Sequence, residues 1–167
     1  SVIGGSGGIA KSGTNLLHLT AANTYTGPTT ISEGIVRVNL TGALGTSASG
    51  TVIADGATLD VGGAVGVSTL SLQSEPIAVS GAGTDGQGAI VNNSANEQWY
   101  ATGQVTLNGD ATFGGKMRWD VRSGYLFLND HSLTKTGMNE IAIVSVPVYA
   151  GSGNMVVNQG LLRIESS

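Results

Sequence analysis

A chain of 167 residues with a net charge of −4 and a pI near 4.9 lacks the basic footprint of a nucleic-acid binder. It has no cysteine, which removes disulfides, thiolate chemistry and cysteine-ligated zinc together, and the motifs below imply no cofactor and no metal. No run of 18 apolar residues exists, so direct membrane insertion as a helix is not expected.

The length suits one domain, and the reading is of a single segment over 1–167. Glycine reaches 27 residues and charged residues only 11%, yet 40% of the chain is hydrophobic. The apolar residues fall in short β-branched runs, which describes many strands with tight turns and not a linker. The chain opens at Ser1 without a charged-then-apolar leader, which reads as a mature product or an excised piece.

In chain order, strands are expected at Leu16–Thr20, Ile35–Asn39, Thr51–Ala54, Thr58–Val61, Thr69–Leu72, Pro76–Ser80, Ala89–Asn92, Val105–Leu107, Met117–Val121, Tyr125–Leu128, Glu140–Val144 and Leu161–Glu165. Corners such as Asp55-Gly56, Asp85-Gly86 and Asn108-Gly109 separate them. No stretch keeps a helical apolar period without glycine intervening.

The sequence also starts again. Ile9-Ala10-Lys11-Ser12-Gly13-Thr14-Asn15 recurs as Leu133-Thr134-Lys135-Thr136-Gly137-Met138-Asn139, and Tyr25-Thr26-Gly27 as Tyr149-Ala150-Gly151, both at an offset of 124. After a two-residue insertion, Glu33-Gly34-Ile35-Val36-Arg37-Val38 recurs as Gln159-Gly160-Leu161-Leu162-Arg163-Ile164. The cassette thus spans 9–38 and 133–164. A compact sandwich has no reason to restart; a solenoid does, because each coil rests only on its neighbours.

The stretch from Gly13 to Ile31, with Leu17-His18-Leu19, Asn23-Thr24-Tyr25-x-Gly27 and Thr29-Thr30-Ile31, resembles the autotransporter-associated β-strand repeat of bacterial passenger domains. Ala43-Leu44-Gly45 with Ala57-Thr58-Leu59-Asp60-Val61, the segment Gly81–Ile90 and the segment Val105–Thr112 are similar to sequences that continue or link such repeats. This copy departs at Asn15, where glycine is usual, and the second copy lacks the Asn-Thr before Tyr149. The resemblance implies an all-β fold, a right-handed parallel β-helix, in a secreted or cell-surface bacterial protein, with no common catalytic activity. An antiparallel β-sandwich is the alternative architecture, accounting for strands and turns but not for the restart at Leu133.

Coils of about 20 residues stacked at ~4.8 Å give roughly eight coils and ~40 Å of rod. The inward positions are expected to be Leu17, Leu19, Ile31, Val36, Val38, Leu59, Val61, Leu70, Leu72, Ile90, Leu107, Trp119, Val121, Leu126 and Leu128.

Motifs that carry chemistry elsewhere find poor contexts. Gly81-x-Gly83-x-x-Gly86 matches a dinucleotide fingerprint, but a strand follows where a helix is required, and one copy of Gly-x-Gly-x-Asp cannot supply a calcium shell. Asn129-Asp130-His131-Ser132 has triad residue types, yet adjacent strand residues point to opposite faces. His18 lies on the outward side. Asp55, Asp85, Asp110 and Asp130 read as corner caps, since glycosidase work needs carboxylates paired across a cleft. Polysaccharide lyases share the β-helix, which is a likeness of fold alone.

Two features stand out. In Lys116-Met117-Arg118-Trp119-Asp120-Val121-Arg122, alternation puts Trp119 inward and Arg118, Asp120 and Arg122 outward, as a self-paired solvated face or an anionic-ligand site. Glu97-Gln98-Trp99-Tyr100 sits in a polar loop, where the aromatics either stack on sugar rings or pack onto the solenoid wall. Trp99, Tyr100, Arg118 and Arg122 are the candidate glycan-binding residues, with no catalytic residue. The functional expectation is a non-catalytic structural and adhesive module, a rod displaying loops. The alternative is a carbohydrate-binding module attached to a polysaccharide-degrading enzyme, with a glycan-active enzyme third. Partners are a polysaccharide or surface glycan, adjacent solenoid repeats, or copies of itself, since both ends read as cut across the solenoid and open to pairing.

Overall fold

Short β-branched strands that end at residues tolerating positive φ turn the chain through a corner every few residues, and here the corners close into coils. The computed structural model describes residues 1–63 and 70–166. Three ladders of parallel strands wrap one core. The first holds Gly4–Gly5, Thr24–Tyr25, residues 98–102, residues 119–122, Glu140–Val144 and Leu161–Glu165. The second runs through Ile9–Lys11, Thr29–Ile31, Thr51–Ile53, Pro76–Gly81, residues 104–107, residues 125–127 and Val148–Tyr149. The third runs through Leu16–Leu19, Gly34–Val38, Ala57–Asp60, Ile90–Asn92, residues 111–115, Leu133–Lys135 and Met155–Val157.

Every pairing among the described residues is parallel, as a coiled path requires, and this excludes the antiparallel sandwich. The stack makes about seven turns, fewer than the eight expected. Coil length explains the difference: Ile9 pairs with Thr29 twenty residues on, but Ile77 pairs with Val105, twenty-eight on. The long strand Gln98–Gly115 contributes to all three ladders because it passes both corners through register shifts without breaking.

Side chains stack in register within the core. Val36, Leu59, Ile90 and Phe113 form one column, and Ile31, Ile53, Val79 and Leu107 another. All the expected inward residues are buried except Leu17, which is half-buried in the first coil. Most expected strands are present, although Thr69 lies outside the described residues and Leu70–Leu72 contributes only the bridge between Ser71 and Tyr100. Short strands at Ile9–Lys11, Thr29–Ile31, Leu133–Lys135 and Met155–Val157 carry too few alternating residues to stand out in sequence.

The recurring cassette has a physical meaning at the corner after its lysine. Lys135 is 1% exposed. Its ammonium donates to the carbonyls of Thr136 (2.6 Å), Gly137 (2.8 Å) and Gln159 (3.2 Å), and to Asn139 Oδ1 (3.0 Å). Lys11 does the same to Ser12 (3.3 Å), Gly13 (2.5 Å) and Glu33 (2.9 Å). In each copy the next coil's acidic or amide side chain accepts from the corner glycine: Glu33 from Gly13 N (3.0 Å) and Gln159 from Gly137 N (3.2 Å). The following glycines, Gly34 and Gly160, hold φ of 74° and 70°, and a Cβ on either would lie 2.4 Å from a carbonyl of the coil before. The copies do not occupy equivalent places. Lys11 belongs to the second ladder and Lys135 to the third, so the second cassette is displaced by one face. The tyrosines diverge as well. Tyr25 is 1% exposed and Tyr149 is 51% exposed, because Val148 takes the inward position and alternation turns Tyr149 out.

Candidate ligand-binding face

The four candidate residues, drawn from two separate stretches of sequence, meet on the outer surface of the first ladder. Residues 98–102 of one coil pair with residues 119–121 of the next, Gln98 opposite Trp119 and Thr102 opposite Val121. Gln98 and Trp119 point inward and are fully buried, which turns Trp99 and Arg118 outward. The Arg118 guanidinium sits 5.8 Å from the Trp99 ring centre, and that of Arg122 sits 5.7 Å from Tyr100.

This corrects the expectation of a polar loop at Glu97–Tyr100. Gln98 starts a strand, and a register shift between Gln98 and Thr102 leaves two successive aromatics exposed, Trp99 at 39% and Tyr100 at 40%. Trp99 Nε1 donates to Glu97 at 2.7 Å.

The arginines are held by acids of their own face. Asp120, expected to be solvated, is fully buried because both arginines grip it: Arg118 Nε at 2.9 Å and Nη2 at 3.1 Å, and Arg122 Nε at 2.8 Å. Arg118 also reaches Glu140 at 3.2 Å, and Arg163 of the following coil reaches the same carboxylate at 3.0 Å. The hydrogen bonds that Arg118 donates to Asp120 raise the Arg118 pKa above its already high ordinary value. A guanidinium so engaged keeps its position over the ring, while its donors are largely spent on carboxylates. The surface therefore offers half-covered aromatic faces inside a charge-balanced frame.

Sequence reasoning did not reach Glu140 and Arg163 as members of this frame, since only the ladder register brings residues about 22 apart side by side. It also did not find the outward row of Tyr125, Phe127 and Tyr149 on the second ladder. There Phe127 lies 4.7 Å from Tyr125 and stacks on Tyr149 at 4.5 Å.

The discounted motifs take structural places. Gly81, Gly83 and Gly86 all have positive φ around the short 3-10 turn Thr84–Gly86, and the strand Ile90–Asn92 follows. Asp110 accepts from Ser132 N at 2.8 Å and Asp130 from Ser152 N at 2.7 Å, each capping the corner of the next coil. The Ser152 bonds lower the Asp130 pKa. His131 lies 3.9 Å from Asp110, and His18 meets Asn39 on the surface. Among the described residues no group of three His, Asp or Glu side chains could hold a metal ion, and no helix is long and apolar enough to cross a membrane.

Residues 9–38 match the family described as the passenger-associated-transport-repeat. The chain is similar to the adhesin BmaC autotransporter of Brucella suis biovar 1 (strain 1330), at 31% identity over 121 residues, or 67% of this chain. It spans 4% of the length of that relative. No solved structure matches.

Proposed function

Because the chain carries a repeat of the autotransporter passenger family, we propose that it is a non-catalytic section of a bacterial surface or secreted adhesin, a rod that holds and presents its outer faces. The observation that carries this reading is the passenger repeat built into a solenoid of stacked parallel strands. A rod of stacked coils gains length with each repeat and needs no enclosed active site. The family and the adhesin name of the relative support the adhesive role and the exterior location.

The finer proposal places glycan contact at Trp99 and Tyr100, with Arg118 and Arg122 fixing the rings. It is favoured by two neighbouring aromatics near 40% exposure on a strand surface in a chain with only 5% aromatic residues. Glycan-array binding of the intact chain tests it: Trp99→Ala should abolish binding and leave the thermal midpoint nearly unchanged. Loss of folding would make Trp99 a packing residue, and hydrolysis or lysis of any glycan would overturn the non-catalytic reading. The alternative module, attached to a polysaccharide-degrading enzyme, would show the same binding, with a preference for the polymer that enzyme cleaves.

End-to-end stacking on further coils is the proposed mode of association. Leu161–Glu165 pairs with Glu140–Val144, and Leu161 and Ile164 are exposed beside it, a surface that suits a further coil of a longer chain or of another copy. Sedimentation velocity should show concentration-dependent growth that Leu162→Lys suppresses, and a strictly monomeric species at high concentration would refute it.

A further inference from the structure

Among the described residues the first ladder is interrupted in its early coils. Residues 40–48 run mostly as turns, and pairing resumes at the Ser71–Tyr100 bridge. The gap leaves a cleft of about 200 Å³, lined by Thr41, Ser47, Ser71 and Ser74 with Leu44 and Leu72 between them. Glu75 completes the lining and is 5% exposed.

A carboxylate buried to that degree is costly unless paired or well hydrogen-bonded. Among the described residues Glu75 forms no ion pair, and its side chain accepts one hydrogen bond, from Thr51 Oγ1 at 2.7 Å. Two carboxylate oxygens offer about four acceptor sites. Holding Thr51 accounts for one of them. The remaining capacity lies at a cleft whose other polar groups are hydroxyls, which both donate and accept.

We propose that the Glu75 cleft is a binding subsite for a single sugar ring, with Glu75 accepting from ligand hydroxyls, the serine and threonine hydroxyls completing the network and the two leucines covering an apolar ring face. The volume is below the ~300–1,000 Å³ of drug-sized sites, which suits one ring. A metal ion fits less well, since one carboxylate with neutral hydroxyls is a poor cation shell. The cleft adjoins the aromatic pair directly: Ser71 bridges Tyr100, and Leu72 N donates to the Tyr100 carbonyl at 3.3 Å. The two features form neighbouring parts of one surface. The choice of a sugar rests on the glycan reading of Trp99 and Tyr100; the existence of a site rests on Glu75 alone.

The test is amide chemical-shift mapping on the intact labelled chain, titrated with a panel of hexose monosaccharides and then with tetrasaccharides built from them. Monosaccharide should perturb residues 41–47 and 71–75, and Glu75→Gln, which still accepts from Thr51, should weaken binding about ten-fold or more. Trp99→Ala should remove the added affinity of the tetrasaccharide, and with it the binding an array detects, while leaving the weak monosaccharide shifts at residues 41–47 and 71–75 intact. Should Glu75→Gln fail to fold, Ser71→Ala combined with Ser74→Ala must show the same weakening. Tetrasaccharide shifts confined to Trp99 and Tyr100, or unchanged affinity in the cleft variants, would overturn the cleft while leaving the aromatic site standing. No response to any sugar would overturn both.

Discussion

Replacing Lys135 with methionine isolates the corner lock, because the stem still fills its buried path while the ammonium disappears. Four oxygens lose their donor: the carbonyls of Thr136, Gly137 and Gln159, and Asn139 Oδ1. Hydrogen bonds to a charged group are worth ~1.5–3 kcal/mol each, and water replaces part of that where it can reach. Gln159 is exposed and Thr136 and Gly137 are half-buried, so their carbonyls recover partners; Asn139 is 5% exposed and does not. Removing a buried charge also relieves its desolvation. The net expectation for Lys135→Met is a loss of ~2–4 kcal/mol. Lys11→Met, with three acceptors in the first coil, should cost about half as much. Urea unfolding followed by far-UV circular dichroism and by the fluorescence of buried Trp119 measures both, and separation of the two transitions would locate the loosened coils. A Lys135→Met protein within about 0.5 kcal/mol of the parent would refute the lock.

Three other outcomes follow from the same structure. Burial pushes the Lys135 ammonium down to about 8 from 10.5, so the unfolded chain binds more protons between those values. The parent should then gain stability relative to Lys135→Met as pH rises through that window, and a flat or falling difference would mean that the four oxygen acceptors outweigh desolvation. Burial raises the Glu75 carboxyl against the opposing bond from Thr51, so its proton binds more tightly in the folded state. That contribution is lost as pH rises through the folded value, and Glu75→Gln should flatten the fall in stability from acid to neutral pH in thermal melts. Leu59→Ala, at a fully buried core position, should cost ~2–5 kcal/mol in urea unfolding, and an effect below half a kcal/mol would place Leu59 off the core.

The inward face was legible because period-two alternation survives in strands such as Gly34–Val38, where burial alternates residue by residue. The solenoid itself was legible in the restart of the sequence at Leu133, which no closed sandwich needs. Register was not, because coil length varies and nothing local says that Thr102 lies opposite Val121. The candidate face therefore came through as two unconnected fragments, with Glu140 and Arg163 missing. Glu97–Tyr100 reads as a loop in sequence because it follows the polar run Asn92-Asn93-Ser94, and the register shift that leaves two successive aromatics exposed on a strand has no signature in residue type. Glu75 gave no signal either, since its buried contact is with Thr51, 24 residues earlier in the preceding coil.

The displacement of the second cassette by one face gives the rod a screw sense at a scale longer than a coil. A given signature position, such as the cassette lysine, moves from the second ladder to the third between copies. Were the same step to recur along a longer array, homologous outer residues would trace a slow spiral, returning to one side only at every third copy. A partner approaching from a fixed direction would meet sparse, widely spaced copies of any one motif. A partner able to wrap the rod would meet them all.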